Sequence, residues 1–400
     1  MNMFRSLNVL SIEQATTLPY MTLRLAEEGM RVIRVENPPH GDPNRWVGPE
    51  VLRSSHGDHP YERGMNAYFL PNNLGKQSIT LNLGVNEGQA ILHRLIQELP
   101  VDIFATNQRP RSYKKLGIDY ETLRAVKADL IWVGITGFGP ESDEAAYDPI
   151  LQARAGFMEL TGEPDGEPMI FGLPMVDLGA GEHGYGQVMK ALYQRAVTGE
   201  GRRLDISMFQ SAVSWMVSPI LLANNLGISM TRHGNTHQFF APASTFPAQD
   251  GYVYLAVGND RQWETITRLP GFESLARPEY TRNAGRISAV DQLNRELADI
   301  TRSHSSVDLM ASFKAIGVPI SQVNRLEEVN AEPLIAEHMV RACDPRSGLE
   351  ITIAPPPVIS EFLHDQGLRL DFPPRLGEHN EVILGGLGHA VMELQEKGIL

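Results

Sequence analysis

Leu7-Asn-Val-Leu-Ser-Ile12, residues 18–28, and Arg31-Val-Ile-Arg-Val35 together decide the fold. The two outer runs are short and apolar, of strand length, and the segment between them has helical spacing. A strand, a helix and a second strand in so short a span imply parallel strands joined by a crossover helix. The pattern continues outward. Further strands are expected over residues 78–83, 101–106 and 130–135, with a helix over 86–99. The first half therefore reads as an open α/β sheet. Residues 45–72, rich in Gly, Pro, His and Tyr, fit no element and read as a long functional or interface loop.

Past Asp177 a helix is expected to about residue 196, then a strand over 203–206 and a helix over 208–225. From Gly227 the texture changes to turn residues, a strand pair around Ser244 and residues 252–257, and short helices to about 315. A strand is expected over 318–323, the tail from Gly317 is expected to return to the first domain, and Pro355-Pro-Pro357 and Pro373-Pro374 mark it as extended and wrapping. The expected division is 1–225, 226–316 and 317–400.

Four hundred residues favour two cores over one. The net charge of -13, from 48 acidic and 35 basic residues, argues against nucleic acid and anionic membranes as partners. A polyanionic ligand would need a local basic pocket. Cys343 is the single cysteine, so no intrachain disulfide forms. The longest apolar stretch, residues 215–223, contains Ser218 and Pro219 and is too short to span a bilayer. The N-terminal residues lack the apolar region of a signal peptide, so the expected location is cytoplasmic.

Several motifs tempt. Gly179-Ala-Gly181-Glu-His-Gly184 satisfies G-x-G-x-x-G, but the segment before it carries Pro174 and reads as a loop rather than a strand. The preferred reading is a small-residue helix face that permits close packing. His233 and His237 have metal-ligand spacing, yet Gly-Asn-Thr between them forms a poor helix, and His56 and His59 are equally loose. No metal is expected. Neither a G-x-S-x-G elbow nor a P-loop is present. That leaves Asp177, an acid at the start of a glycine-rich helix, where capping and the helix dipole alone would favour it.

The company Asp177 keeps is more specific. The chain resembles the class III coenzyme A transferases, a family that also includes acyl-CoA racemases. The resemblance rests on Gly29-Met-Arg-Val-Ile-Arg-Val-Glu36-Asn-Pro38, Gly41-Asp42 and Asn73-Leu-Gly-Lys76. Asn107-Gln-Arg-Pro-Arg111, Lys115-Leu-Gly117, Ile135-Thr-Gly-Phe-Gly-Pro140 and Ala146-Tyr-Asp148 follow in family order. Asp177, Gly199-Glu-Gly-Arg202, Gly234-Asn-Thr-His237, Gly317-Val-Pro319 and Leu376-Gly-Glu-His379 complete it.

The resemblance implies an α/β fold: a large Rossmann-like domain built from both chain ends, a smaller α+β domain, and an interlocked homodimer. It places Asp177 on the catalytic aspartate. Asn107, Lys115 and the strand end at Val35-Glu36-Asn37 fall where CoA is contacted, and Tyr147 joins them as a candidate contact. Asn37 departs from the basic residue of many members, and Thr16-Thr17-Leu18 replaces the common Ala-Gly before Pro19. No prosthetic group is implied; the coenzyme A thioester is itself the substrate, with a carboxylate as acceptor. The expected reaction moves CoA through an aspartyl anhydride and an aspartyl-CoA thioester, with backbone amides at the start of the Asp177 helix stabilising the oxyanions.

Three substrates follow from the family. The specific expectation is intramolecular transfer between C1 and C4 of mesaconyl-CoA. The alternatives are intermolecular acyl-CoA:dicarboxylate transfer, as from succinyl-CoA, and 2-methylacyl-CoA racemisation. Racemases of the family carry histidine where this chain has Tyr147, and a tyrosine of ordinary pKa, near ~10, is a poor base at neutral pH.

Overall fold

The computed structural model describes residues 3–52 and 64–400. His56 and His59, with the middle of the expected 45–72 loop, lie outside the described residues. By internal contacts the chain forms two compact units: Met1–Ala155, Phe171–Leu221 and Leu334–Leu400 make the first, Gly156–Ile170 and Leu222–Pro333 the second.

In the first unit β1 (Asn8–Ile12), α1 (Thr17–Glu27) and β2 (Arg31–Glu36) form the strand–helix–strand unit read from the sequence. A short antiparallel ribbon, β3 (Glu50–Leu52) with β4 (Met65–Asn66), occupies part of the expected loop. Then come β5 (Lys76–Thr80), α2 (Asn86–Glu98), β6 (Ile103–Thr106), α3 (Tyr120–Val126), β7 (Ile131–Thr136) and α4 (Asp148–Arg154). Helix α5 (Phe157–Leu160) belongs to the second unit. The long α6 (Met175–Thr198), β8 (Arg202–Ser207) and α7 (Met208–Ser214) follow in the first.

All six central strands are parallel, in the order β5-β2-β1-β6-β7-β8. Counted along the sheet's own strands this is the doubly wound 3-2-1-4-5-6 arrangement, whose ligand crevice lies beyond the carboxyl ends of β1 and β6. Strands β1, β2, β6 and β7 are buried almost throughout, as sheets covered on both faces require. The outer edge of β5 is closed by the Leu376-Gly-Glu-His379 motif and the residue after it. Ser78 N–H donates to His379 Nδ1 at 3.2 Å, and Thr80 N–H to Asn380 Oδ1 at 2.9 Å. An unpaired edge is thereby blunted.

The helix expected over 208–225 is broken into α7 and a helix at Val217–Leu226. Pro219, in the first turn of the second helix, has no N–H to donate back to Trp215, so the hydrogen-bond ladder is interrupted between the two. In the second unit, Ala243–Ala248 and Gly251–Ala256 pair antiparallel, as expected. The strand expected over 318–323 spans Ile320–Gln322 and pairs antiparallel with Gly251–Ala256 in the second unit, and the chain rejoins the first unit from Leu334. The turn Val257-Gly-Asn259 caps a helix, with Asn259 Oδ1 accepting from Gln262 N–H.

Candidate active site

Two adjoining cavities open at the carboxyl ends of the strands, both lined wholly by the first unit. One, of about 160 Å³, has apolar walls from Ile12, Val35, Leu81, Leu83 and Leu116, with Asn37 among its lining residues. The other, of about 170 Å³, is lined by Thr17, Asn107, Arg109, Tyr147 and Asp177. Gln14, just past β1, and Gln108, just past β6, line both.

Asp177 stands in the first turn of α6. The helix has no side-chain cap of its own at Pro174; Asp148 of α4 supplies one from outside. Its Oδ2 accepts from the N–H groups of Val176 at 2.7 Å and Asp177 at 3.0 Å, and its Oδ1 accepts from Gln152 Nε2 at 2.6 Å. Gln152 in turn grips the incoming chain, donating to Leu173 O and accepting from Phe171 N–H. Both residues are buried. Two side chains one turn apart on α4 thus fix where α6 begins. Asp148 thus occupies the N–H groups of Val176 and Asp177, so neither of these two amides is open to an oxyanion.

The Asp177 carboxylate accepts a 2.5 Å hydrogen bond from Thr17 Oγ1. Burial pushes its pKa up to about 6; the Thr17 hydroxyl pulls it down and the neighbouring Asp148 charge adds to the rise. A carboxylate short of water yet still ionised at neutral pH is a competent nucleophile toward a thioester.

The other expected contacts separate. Asn107 binds Gln14 in both directions, its Oδ1 accepting from Gln14 N–H at 3.1 Å and its Nδ2 donating to Gln14 O at 2.8 Å. It therefore lines the second cavity while ordering the segment after β1. Asn37 is exposed and lines the first cavity. Glu36 beside it is committed to Arg45 at 2.6 and 2.8 Å and to Ser78 Oγ at 2.7 Å. Burial alone would raise its pKa; Arg34 and Arg45 outweigh that and hold it at about 2. Tyr147 is 74% exposed on the rim of the second cavity. Lys115 is exposed and lines neither cavity, although Leu116 next to it lines the first.

Sequence reasoning passed over Gln14, Gln108, Arg109 and, as a site residue, Thr17. Gln14 and Gln108 had a signal: each stands two residues past the end of a strand beside the switch point, once the strand order is known. Arg109 had none, because what distinguishes it is the lack of a partner. Its side chain makes no hydrogen bond or ion pair among the described residues, and it is the one basic residue among those lining the cavity that holds Asp177. Glu144, in the same wall, is paired with Arg154 at 2.7 Å. The His233–His237 segment is a turn, closed by Thr236 N–H on His233 O, and His237 Nδ1 accepts from Phe239 N–H.

The chain is similar to known proteins along most of its length. The chain is 32% identical to a succinate–glutarate CoA-transferase of Agrobacterium fabrum, over 95% of this chain and 94% of that one. It is 33% identical to a succinyl-CoA:mesaconate CoA-transferase of Haloarcula hispanica, over 96% of each. A crystal structure of a CaiB/BaiF family protein from Brucella suis superimposes with a TM-score of 0.81 at 30% identity, covering 95% of this chain and 98% of the other. Residues 5–380 match the sequence profile of CoA-transferase family III, and the chain belongs to that family of enzymes.

Proposed function

We propose that this enzyme transfers coenzyme A between dicarboxylates through covalent intermediates on Asp177, acting as a homodimer in the cytoplasm. The observation that carries the reading is a partly buried carboxylate, Asp177, sharing a small cavity with Arg109, whose side chain makes no hydrogen bond or ion pair among the described residues. The Asp177 carboxylate attacks the thioester carbonyl carbon, and the C–S bond breaks to give a mixed anhydride and CoA thiolate. The thiolate then attacks the aspartyl carbonyl, releasing the first acid as its carboxylate and leaving an aspartyl-CoA thioester. An acceptor carboxylate reverses the two steps. Each step conserves atoms and charge without a redox partner.

The first cavity, with apolar walls and polar groups including Asn37, suits the nucleoside end of coenzyme A, and exposed Lys115 stands next to Leu116 of its wall for the phosphates. Asn107 and Tyr147 border the path to Asp177. Arg109 supports a dicarboxylate substrate, because a second carboxylate would pair with a guanidinium that makes no ion pair among the described residues. The relatives named for succinate, glutarate and mesaconate point the same way. Racemisation is disfavoured, since Tyr147 replaces the histidine base and Asp148 is committed to the α6 amides.

The specific substrate proposed is mesaconyl-CoA, with its free carboxylate as the internal acceptor held at high effective concentration. Incubating mesaconyl-C1-CoA with isotopically labelled free dicarboxylates tests this. Conversion to the C4 ester without label in the product is expected. Rapid incorporation of label would instead establish intermolecular transfer, and no isomerisation would remove mesaconyl-CoA as the substrate.

A further inference from the structure

The segment from Glu13 to Thr17 joins the end of β1 to α1, and nearly every residue in it is held from outside. Glu13 is buried and its Oε1 accepts from Lys76 Nζ at 2.8 Å, its Oε2 from Thr22 Oγ1 at 2.6 Å. Gln14 is bound through its backbone to Asn107 on both sides. Ala15 N–H donates to Asp42 Oδ1 at 3.1 Å, and Asp42 is fixed in turn by Arg34 Nη2 at 2.8 Å and by Asn44 N–H at 2.9 Å. Thr16 O accepts from Tyr20 N–H at 2.9 Å, the first turn of α1.

Within this clamp Ala15 has φ 62°, a left-handed conformation that a residue with a Cβ rarely adopts. Strain of this kind persists only where surroundings over-determine it, and it concentrates at functional sites. Its effect here is to swing the chain so that α1 starts with the Thr17 side chain directed at Asp177, 160 residues away in sequence. Thr17 is buried, and its hydroxyl donates to Asp177 Oδ1.

The geometry points to Thr17 as a positioning residue for the transfer, presented by the left-handed turn at Ala15 that the Arg34–Asp42 pair pins, and orienting one oxygen of Asp177 so that the other is free to attack. This rests on the reading of Asp177 as the nucleophile. A hydroxyl that donates to the carboxylate also keeps it ionised, so removing the donor makes the ionised form harder to reach. The other groups around Asp177 are Asp148 from α4, Tyr147 preceding it, and Arg109 and Glu144 in the cavity wall. None of these is changed by substituting Thr17.

The test is the pH profile of kcat/KM for Thr17→Val, which keeps the shape and deletes the hydroxyl, and for Thr17→Ser, which keeps the donor. The acid limb is expected to move up by about one pH unit in Thr17→Val, an activity loss of about tenfold below the limb that shrinks at higher pH. Thr17→Ser should restore the wild-type limb. A uniform loss with the limb unmoved, or a shift shared equally by the serine variant, would overturn the inference. If Thr17→Val does not fold, Thr17→Ala deletes the same hydroxyl without adding an atom and is read the same way. Trapping wild-type Asp177 with hydroxylamine during turnover separates the two claims. A trapped Asp177 with an unmoved limb refutes only the role of Thr17, whereas turnover in Asp177→Ala refutes the nucleophile itself.

Discussion

At Asp177 the carboxylate has lost much of the water that would stabilise its charge, and Asp148 adds a second negative charge close by. Under the proposed mechanism, transfer requires the ionised form. kcat/KM should therefore rise with pH along an acid limb near pH 6 and level off above it, rather than near the ordinary carboxylate value of 3.8. A limb near 4 would show that Asp177 is better solvated than the fold indicates. The same shift has a stability sign. Because the folded-state pKa is raised, the folded form favours the proton, and stability is lost as pH rises from 3.8 towards 6. Asp177→Asn should stabilise the protein by on the order of 2 kcal/mol at pH 8, with the gain vanishing near pH 4, in denaturant titrations at the two pH values. Asp177 was legible in the sequence because its neighbours in family order are contiguous motifs. Thr17 and Arg109 were not, since one is paired 160 residues away in sequence and the other is marked by having no side-chain partner among the described residues.

Between elements, the packing of α1 on α6 carries the site. The glycines that imitate a dinucleotide motif sit within α6, and each makes room for a neighbour. A Cβ at Gly179 would fall inside the Trp215 indole, one at Gly184 would lie 2.7 Å from Met21 Sδ, and one at Gly181 would lie 2.7 Å from the Tyr20 ring and 3.0 Å from Thr17 O. The small-residue reading of this motif is the one the structure bears out. Gly181→Ala should therefore lower stability by about 1–3 kcal/mol and lower kcat by more than that loss accounts for, because α1 carries Thr17 away from Asp177. Equal stability with unchanged kcat would show that the helices have slack at this contact. The crossover elements of the sheet were readable from period and length: α1 was expected over 18–28 and spans Thr17–Glu27, and α2 over 86–99 and spans Asn86–Glu98. The pairing of Ile320–Gln322 was not readable, because a short apolar run carries no mark of which sheet it joins.

For the whole molecule, the six-stranded order places both cavities at the switch point, and no helix among the described residues is long and apolar enough to cross a membrane. The first unit leaves Met3 and Tyr193 75% exposed in an apolar groove of about 610 Å³. Area of this kind favours the proposed homodimer. Sedimentation at micromolar concentration should give twice the 44.3 kDa chain mass, and an active species of single-chain mass would contradict it. The claim that CoA passes through Asp177 is most directly tested by the mass of the intact protein. After incubation with an acyl-CoA and no acceptor, the wild type should gain the mass of one coenzyme A less one water per chain, mapped to the peptide containing Asp177, and Asp177→Ala should gain nothing. An Asp177→Ala protein that still turns over, or an adduct mapped to another residue, would contradict the account.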